Sequence, residues 1–125
     1  SCMMVVMTDA PLDARNLERL AKRAMLGLAR TGGIASNGSG DYVIAVSTAE
    51  ECRISYESEN PIQTAPTLRN EGMTPLFLAT IEATEEAILN SLFAAEPITA
   101  RDGHQMEALP KEKVLEMLKE AGKMD

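Results

Sequence analysis

The chain is predicted to be an α/β protein whose sheet is completed by a second polypeptide. Three observations carry this. Residues 2–7 and 41–48 are apolar, β-prone runs without the polar alternation of a strand that has one wet face. Three further stretches have the three- and four-residue apolar spacing of helices that could cover them. Two confident strands, with a weaker third, are too few for a buried sheet, so the missing strands should come from another chain. At 125 residues and 13.5 kDa, residues 1–125 are expected to form a single domain around one core.

The first run, Cys2-Met3-Met4-Val5-Val6-Met7, predicts a central strand buried on both faces. Thr8-Asp9-Ala10-Pro11 ends it, because proline cannot donate to a ladder and restricts the residue before it. Asp13 is placed to cap a helix in which Leu17, Leu20, Ala21, Ala24 and Leu28 face inward. Arg15, Glu18, Arg19, Lys22 and Arg23 take the remaining, solvated surface, with Glu18 and Lys22 as a favourable i,i+4 pair. Gly32 or Gly33 supplies a left-handed C-cap.

A glycine-rich loop over residues 31–40 then enters the second strand. Nucleotide-binding glycine loops follow a strand and open a helix, the reverse of this order, and the lysine of a phosphate-binding loop is missing. Residues 53–56 are predicted as a third, more solvent-facing strand, and 57–72 as an exposed loop with two prolines. Residues 74–95 form a long helix with Phe77, Ile81, Thr84, Ile88, Leu92 and Ala95 on one stripe and Leu76, Ala83 and Ala87 beside it, a width that implies burial on more than one side. Residues 97–109 are a connector, and Pro110 starts a last helix with Val114, Leu115 and Leu118 inward.

Composition removes several classes of function. The net charge is −7 with a pI near 4.7, and two Tyr, two Phe and no Trp offer little base-stacking surface, so nucleic acid is not an expected partner. No apolar run reaches the roughly 20 residues of a membrane span. Cys2 and Cys52 are too few for a disulfide framework or a four-ligand zinc site, and His104 is the sole histidine. Glu82, Glu85 and Glu86 lack matching ligands and are expected on a solvated helix face. No cofactor and no metal are expected.

The chemistry concentrates at Ser1, which carries a hydroxyl and a free α-amine on one residue. An amino terminus titrates near pH 7.7 to 8.0, so part of it is unprotonated at neutral pH and can take the hydroxyl proton. The bland alternative is a serine left by ordinary trimming. Cys2 competes as a nucleophile, but adjacent strand residues point to opposite faces and Cys2 has no free amine of its own. In Ser39-Gly40-Asp41, residues two apart in extended backbone share a side about 6.6 to 6.8 Å apart, bringing a hydroxyl and a carboxylate together. A flexible polar turn is the competing reading of those three residues.

Taken in order, Ser1, Val5-Val6, Thr8-Asp9-Ala10-Pro11-Leu12, Leu26-Gly27-Leu28-Ala29-Arg30-Thr31-Gly32, Gly38-Ser39-Gly40-Asp41, Glu82-Ala83-Thr84-Glu85-Glu86-Ala87-Ile88-Leu89-Asn90 and Arg101-Asp102-Gly103-His104 give the chain a family resemblance. It resembles the β-subunit of the L-aminopeptidase/D-esterase family, which includes the β-peptidyl aminopeptidases. That resemblance implies an αββα sandwich of the N-terminal-nucleophile type, formed when a precursor cuts itself before the serine. It further implies a companion α-chain from the same precursor, larger oligomers of αβ units, and release of N-terminal residues from short peptides, amides or esters. Ser1 matches the catalytic nucleophile and its amine the general base; Ser39 and Asp41 match the catalytic hydroxyl and carboxylate that orient and polarise the terminus. Some relatives carry glutamate at the position of Asp41, which either orients Ser1 or holds the substrate's ammonium group. Oxyanion donors and much of the pocket are expected on the companion chain. Two other readings stand beside this one: an acyltransferase resembling the ornithine acetyltransferases, and a non-catalytic structural subunit. The expected compartment is the cytoplasm, or the periplasm if an upstream segment carries a targeting signal.

Overall fold

Strand β1 (Met3–Thr8) runs parallel to β2 (Tyr42–Ser47), with Met3 opposite Tyr42, Val5 opposite Ile44 and Thr8 opposite Ser47. A computed structural model describes all 125 residues and divides them into two units, Ser1–Glu86 and Ala87–Asp125. In the first unit the parallel pairing requires a crossover, which helix α1 (Ala14–Arg30) provides. Asp13 caps it as predicted, its side chain accepting the Asn16 N–H at 2.8 Å. At the other end Gly32 takes a left-handed φ of 93° while the Gly33 N–H reaches back to the Leu28 carbonyl at 3.2 Å.

The core of this unit is Leu12, Leu20 and Met73, with Val6, Leu17, Leu68, Leu76 and Phe77 packed around it. Asn16 is buried in the same layer, where its amide donates to the Leu68 carbonyl at 3.2 Å and its oxygen accepts from Arg19 at 2.9 Å. The basic face of α1 is less solvated than its sequence suggests. Arg23 lies 3.8 Å and Arg19 5.0 Å from the centroid of the Phe77 ring, so both guanidinium groups stack on an aromatic residue of the next helix. The Glu18–Lys22 pair forms at 2.7 Å on the open side.

Helix α2 (Met73–Ala94) runs through both units, and in the first it presents the buried Thr80 and Thr84. Their hydroxyls donate to the Leu76 and Thr80 carbonyls, so neither is left unpaired. Gly27 of α1 meets this helix so closely that an added Cβ would stand 2.6 Å from both the Ile81 carbonyl oxygen and the Thr84 Cβ. Gly27→Ala should therefore force the helices apart and destabilise the protein by about 1–3 kcal/mol. A lower urea midpoint of the assembled protein, with unchanged slope, is the expected measurement. Of the helical acids, Glu85 pairs with Arg30 at 3.2 Å rather than facing bulk solvent.

One sequence expectation fails here for a physical reason. Residues 53–56 are not a strand: Ile54 is 79% and Tyr56 98% exposed, and no neighbouring strand offers them a ladder. β1 is not covered on both sides within this chain. Met4 is buried on the side of α1, whereas Met3, Val5, Met7, Tyr42, Ile44 and Val46 form a continuous exposed apolar face on the other.

In the second unit a short hairpin pairs β3 (Ile98–Thr99) with β4 (Gln105–Met106). Asp102 and Gly103 turn it with φ of 62° and 76°. Helix α3 (Lys111–Glu120) follows Pro110, as the sequence predicts. The hairpin replaces the expected connector; strands of two residues have no periodicity to find.

Candidate active site

The strand pairing that builds the sheet also assembles the site. The Tyr42 N–H donates to the Cys2 carbonyl at 3.0 Å, extending the β1–β2 ladder by one step and laying Ser1 and Cys2 alongside residues 39–41. The chain reaches that position through a tight turn, with Gly38 at φ 93° and the Ser39 N–H donating to the Ser36 carbonyl at 2.9 Å. A β-carbon at Gly38 would strain this left-handed backbone.

Three hydrogen bonds then hold the terminus. The Cys2 N–H donates to Oδ1 of Asp41 at 2.8 Å, the Ser39 hydroxyl donates to Oδ2 of the same carboxylate at 2.7 Å, and the Gly40 N–H donates to Oγ of Ser1 at 2.9 Å. Ser39 and Asp41 are thus brought together directly, on the side their spacing suggested. Ser1 is not bonded to either side chain. It is linked to them through two backbone amides, those of Cys2 and Gly40.

Each link has a chemical consequence. Because the Ser1 oxygen accepts a hydrogen bond from Gly40, its own O–H is left available as a donor. The serine side chain is exposed, so a carbonyl can reach it. Cys2 lies on the opposite face and is half-buried, which leaves its thiol away from the Ser1 hydroxyl. At Gly40, an added Cβ would sit 3.5 Å from Ser1 Oγ and 3.4 Å from Cε2 of Tyr42. The absent side chain keeps open a gap beside the Ser1 oxygen.

The Ser39 hydroxyl holds the Asp41 carboxyl below its ordinary value of 3.8; desolvation opposes it, and the Cys2 N–H and the charge of the α-amino group add smaller effects in the lowering direction. A lowered folded-state value means that the grip on the terminus is fully present above the ordinary value. It is lost as pH falls through the lowered one.

The remaining sequence candidates lie elsewhere. His104 is exposed beyond the hairpin turn of the second unit, and Cys52 donates weakly to the Pro66 carbonyl at 3.5 Å. No group of three or more His, Cys, Asp or Glu side chains is placed to hold a metal ion, and no helix is long and apolar enough to cross a membrane. The Cys2 and Gly40 amides were not found from sequence, since every residue carries the same backbone donor. The signal available was the glycine between Ser39 and Asp41, at a point where close backbone approach needs no side chain.

Comparison with known proteins places the chain in a family. The model of peptidase family S58 matches residues 1–106. The beta-peptidyl aminopeptidase BapA of Sphingosinicella microcystinivorans is 41% identical over 119 residues, a match covering 95% of this chain and 30% of that protein. A crystal structure of a Pyrococcus horikoshii OT3 protein superposes with a TM-score of 0.82 at 46% identity, over 96% of this chain and 34% of the other. The L-aminopeptidase D-Ala-esterase/amidase of Ochrobactrum anthropi, described as a prototype for the serine aminopeptidases and a new variant among the Ntn hydrolase fold, gives 0.81 at 30% identity, over 97% and 34%. The α/β fold is thus that of the N-terminal-nucleophile serine aminopeptidases. The chain spans about a third of the length of the relatives it matches.

Proposed function

From the premise that this chain belongs to peptidase family S58, we propose that it is the C-terminal, nucleophile-bearing part of an aminopeptidase that acts through Ser1. The observation that carries the reading is the Ser1 hydroxyl held 2.9 Å from the Gly40 amide, beside a carboxylate that fixes the next backbone amide. Ser1 Oγ attacks the carbonyl carbon of the substrate's first residue while its proton passes to the α-amine. The tetrahedral intermediate then collapses: the bond to the leaving amine or alcohol breaks and that group takes the proton, leaving an ester on Ser1. Water, deprotonated by the same amine, attacks the ester carbon; the bond to Ser1 Oγ breaks, that oxygen takes the proton back from the amine, and the acid is freed. Asp41 acts by holding the Cys2 N–H and thus the backbone that carries Ser1; Ser39 holds Asp41 ionised and oriented.

The same hydroxyl would attack the carbonyl that precedes it in a precursor, moving that acyl group from the Ser1 nitrogen to its oxygen before hydrolysis releases two chains. BapA extends well beyond the part this chain matches, which is 30% of its length. The remainder is a companion chain, and the apolar sheet face from Val5 to Val46 is where its sheet packs to complete an αββα sandwich. Units of this kind then assemble into a larger oligomer.

The test uses protein made from the full reading frame, incubated with p-nitroanilides of several α- and β-amino acids. Release of p-nitroaniline from substrates with a free amino group supports the proposal. Inactivity toward every substrate, by a protein that has separated into two chains, would contradict it.

A further inference from the structure

Tyr42 lies where it can decide which residues are released. Ser1, Met3 and Tyr42 belong to the same face of the sheet, Met3 and Tyr42 being opposite partners across the two strands. The Tyr42 ring edge and the Ser1 oxygen lie 3.4 and 3.5 Å from one point, the position a Cβ would take on Gly40, so both border one gap. Tyr42 is 64% and Met3 70% exposed, hence the gap opens onto apolar surface with no side chain of this chain laid over it. The charged neighbour, Asp41, has both carboxylate oxygens engaged, by Cys2 and Ser39.

The exposed face must be shared. A companion sheet can cover its far end, Val5, Met7, Ile44 and Val46, without blocking the nucleophile. The Met3–Tyr42 pair adjoins Ser1, and covering it fully would deny a substrate its approach. When Ser1 attacks a residue's carbonyl, the side chain of that same residue is among the groups nearest the serine. On the reading of Ser1 given above, on which this inference rests, we infer that Tyr42, with Met3 beside it, is the wall against which the side chain of the released residue packs, so that the enzyme favours substrates with an apolar side chain there.

The experiment compares kcat/KM of the assembled two-chain enzyme on p-nitroanilides of glycine, alanine, leucine and phenylalanine and of the matching β-amino acids. Tyr42→Ala should lower the preference for large apolar over small residues by about 10-fold or more. Tyr42→Leu, which keeps apolar bulk, and Tyr42→Phe, which keeps the ring, should retain most of the preference. If the alanine variant is poorly folded, Tyr42→Asn, which puts a polar side chain in place of the apolar wall, should lower the preference in the same way, and an unchanged ratio in that variant overturns the inference. A flat ratio in Tyr42→Ala with hydrolysis intact overturns this inference alone. Absence of hydrolysis by the unaltered enzyme overturns the reading of Ser1, and this inference with it.

Discussion

Ser1→Ala, in protein made from the full reading frame, is expected to remain a single uncut chain and to hydrolyse nothing. The substitution removes the only atom proposed to bond to a carbonyl carbon, and it leaves the α-amine in place when the chains are made separately. Such an assembled Ser1→Ala protein should lose at least about four orders of magnitude in turnover, the loss typical of a deleted nucleophile. Stability should hardly change. Ser1 is exposed, and the Gly40 N–H that loses its acceptor can turn to water, which limits the cost to about 1 kcal/mol. Turnover near the normal level in the separately assembled variant, measured on p-nitroanilides, would assign the chemistry to another residue.

Asp41→Asn is expected to give the second-largest loss, about 10²- to 10³-fold in kcat, in a folded and assembled protein. The carboxylate accepts from Cys2 on one oxygen and from Ser39 on the other. An amide keeps one acceptor and turns the other into a donor, so either the Ser39 hydroxyl must rotate or the Cys2 N–H loses its partner. The terminus would then be free to swing, and the cost should fall on kcat more than on KM. The pH profile offers a separate check. With its carboxyl held below 3.8, Asp41 stays ionised throughout the neutral and mildly acid range. Loss of rate as pH falls from 7 to 5 should therefore be the same in shape for the native protein and Asp41→Asn, and an acid limb in that range that vanishes in the variant would contradict the assignment.

The parts of this arrangement legible in the sequence are those written in side-chain periodicity. The apolar runs around Val5 and Ile44, the stripe through Leu20 and Ala24, and the long helix through Thr84 all stand close to where spacing puts them. Ser39 and Asp41 meet because residues two apart share a side. What the sequence could not show depends on pairing. Ile54 and Tyr56 have strand-forming side chains but no neighbouring strand, so propensity there had nothing to act on. The hairpin through Ile98 and Met106 is too short to carry a pattern. The uninterrupted apolar character of β1 and β2 is real, yet this chain covers only the side facing α1 and leaves Met3, Val5 and Met7 exposed on the other. Gly40 and Cys2 act through main-chain N–H groups, which become visible only when the register Met3 to Tyr42 is known.

The most direct test is the intact mass of both polypeptides from the full reading frame, taken before and within seconds of mixing with an amino-acid ester. Two chains are expected, the shorter beginning at Ser1, and the ester should add a single acyl group that fragmentation locates on the Ser1 oxygen. An uncut chain that still turns over substrate, or an acyl group found on Cys2 instead, would contradict the account.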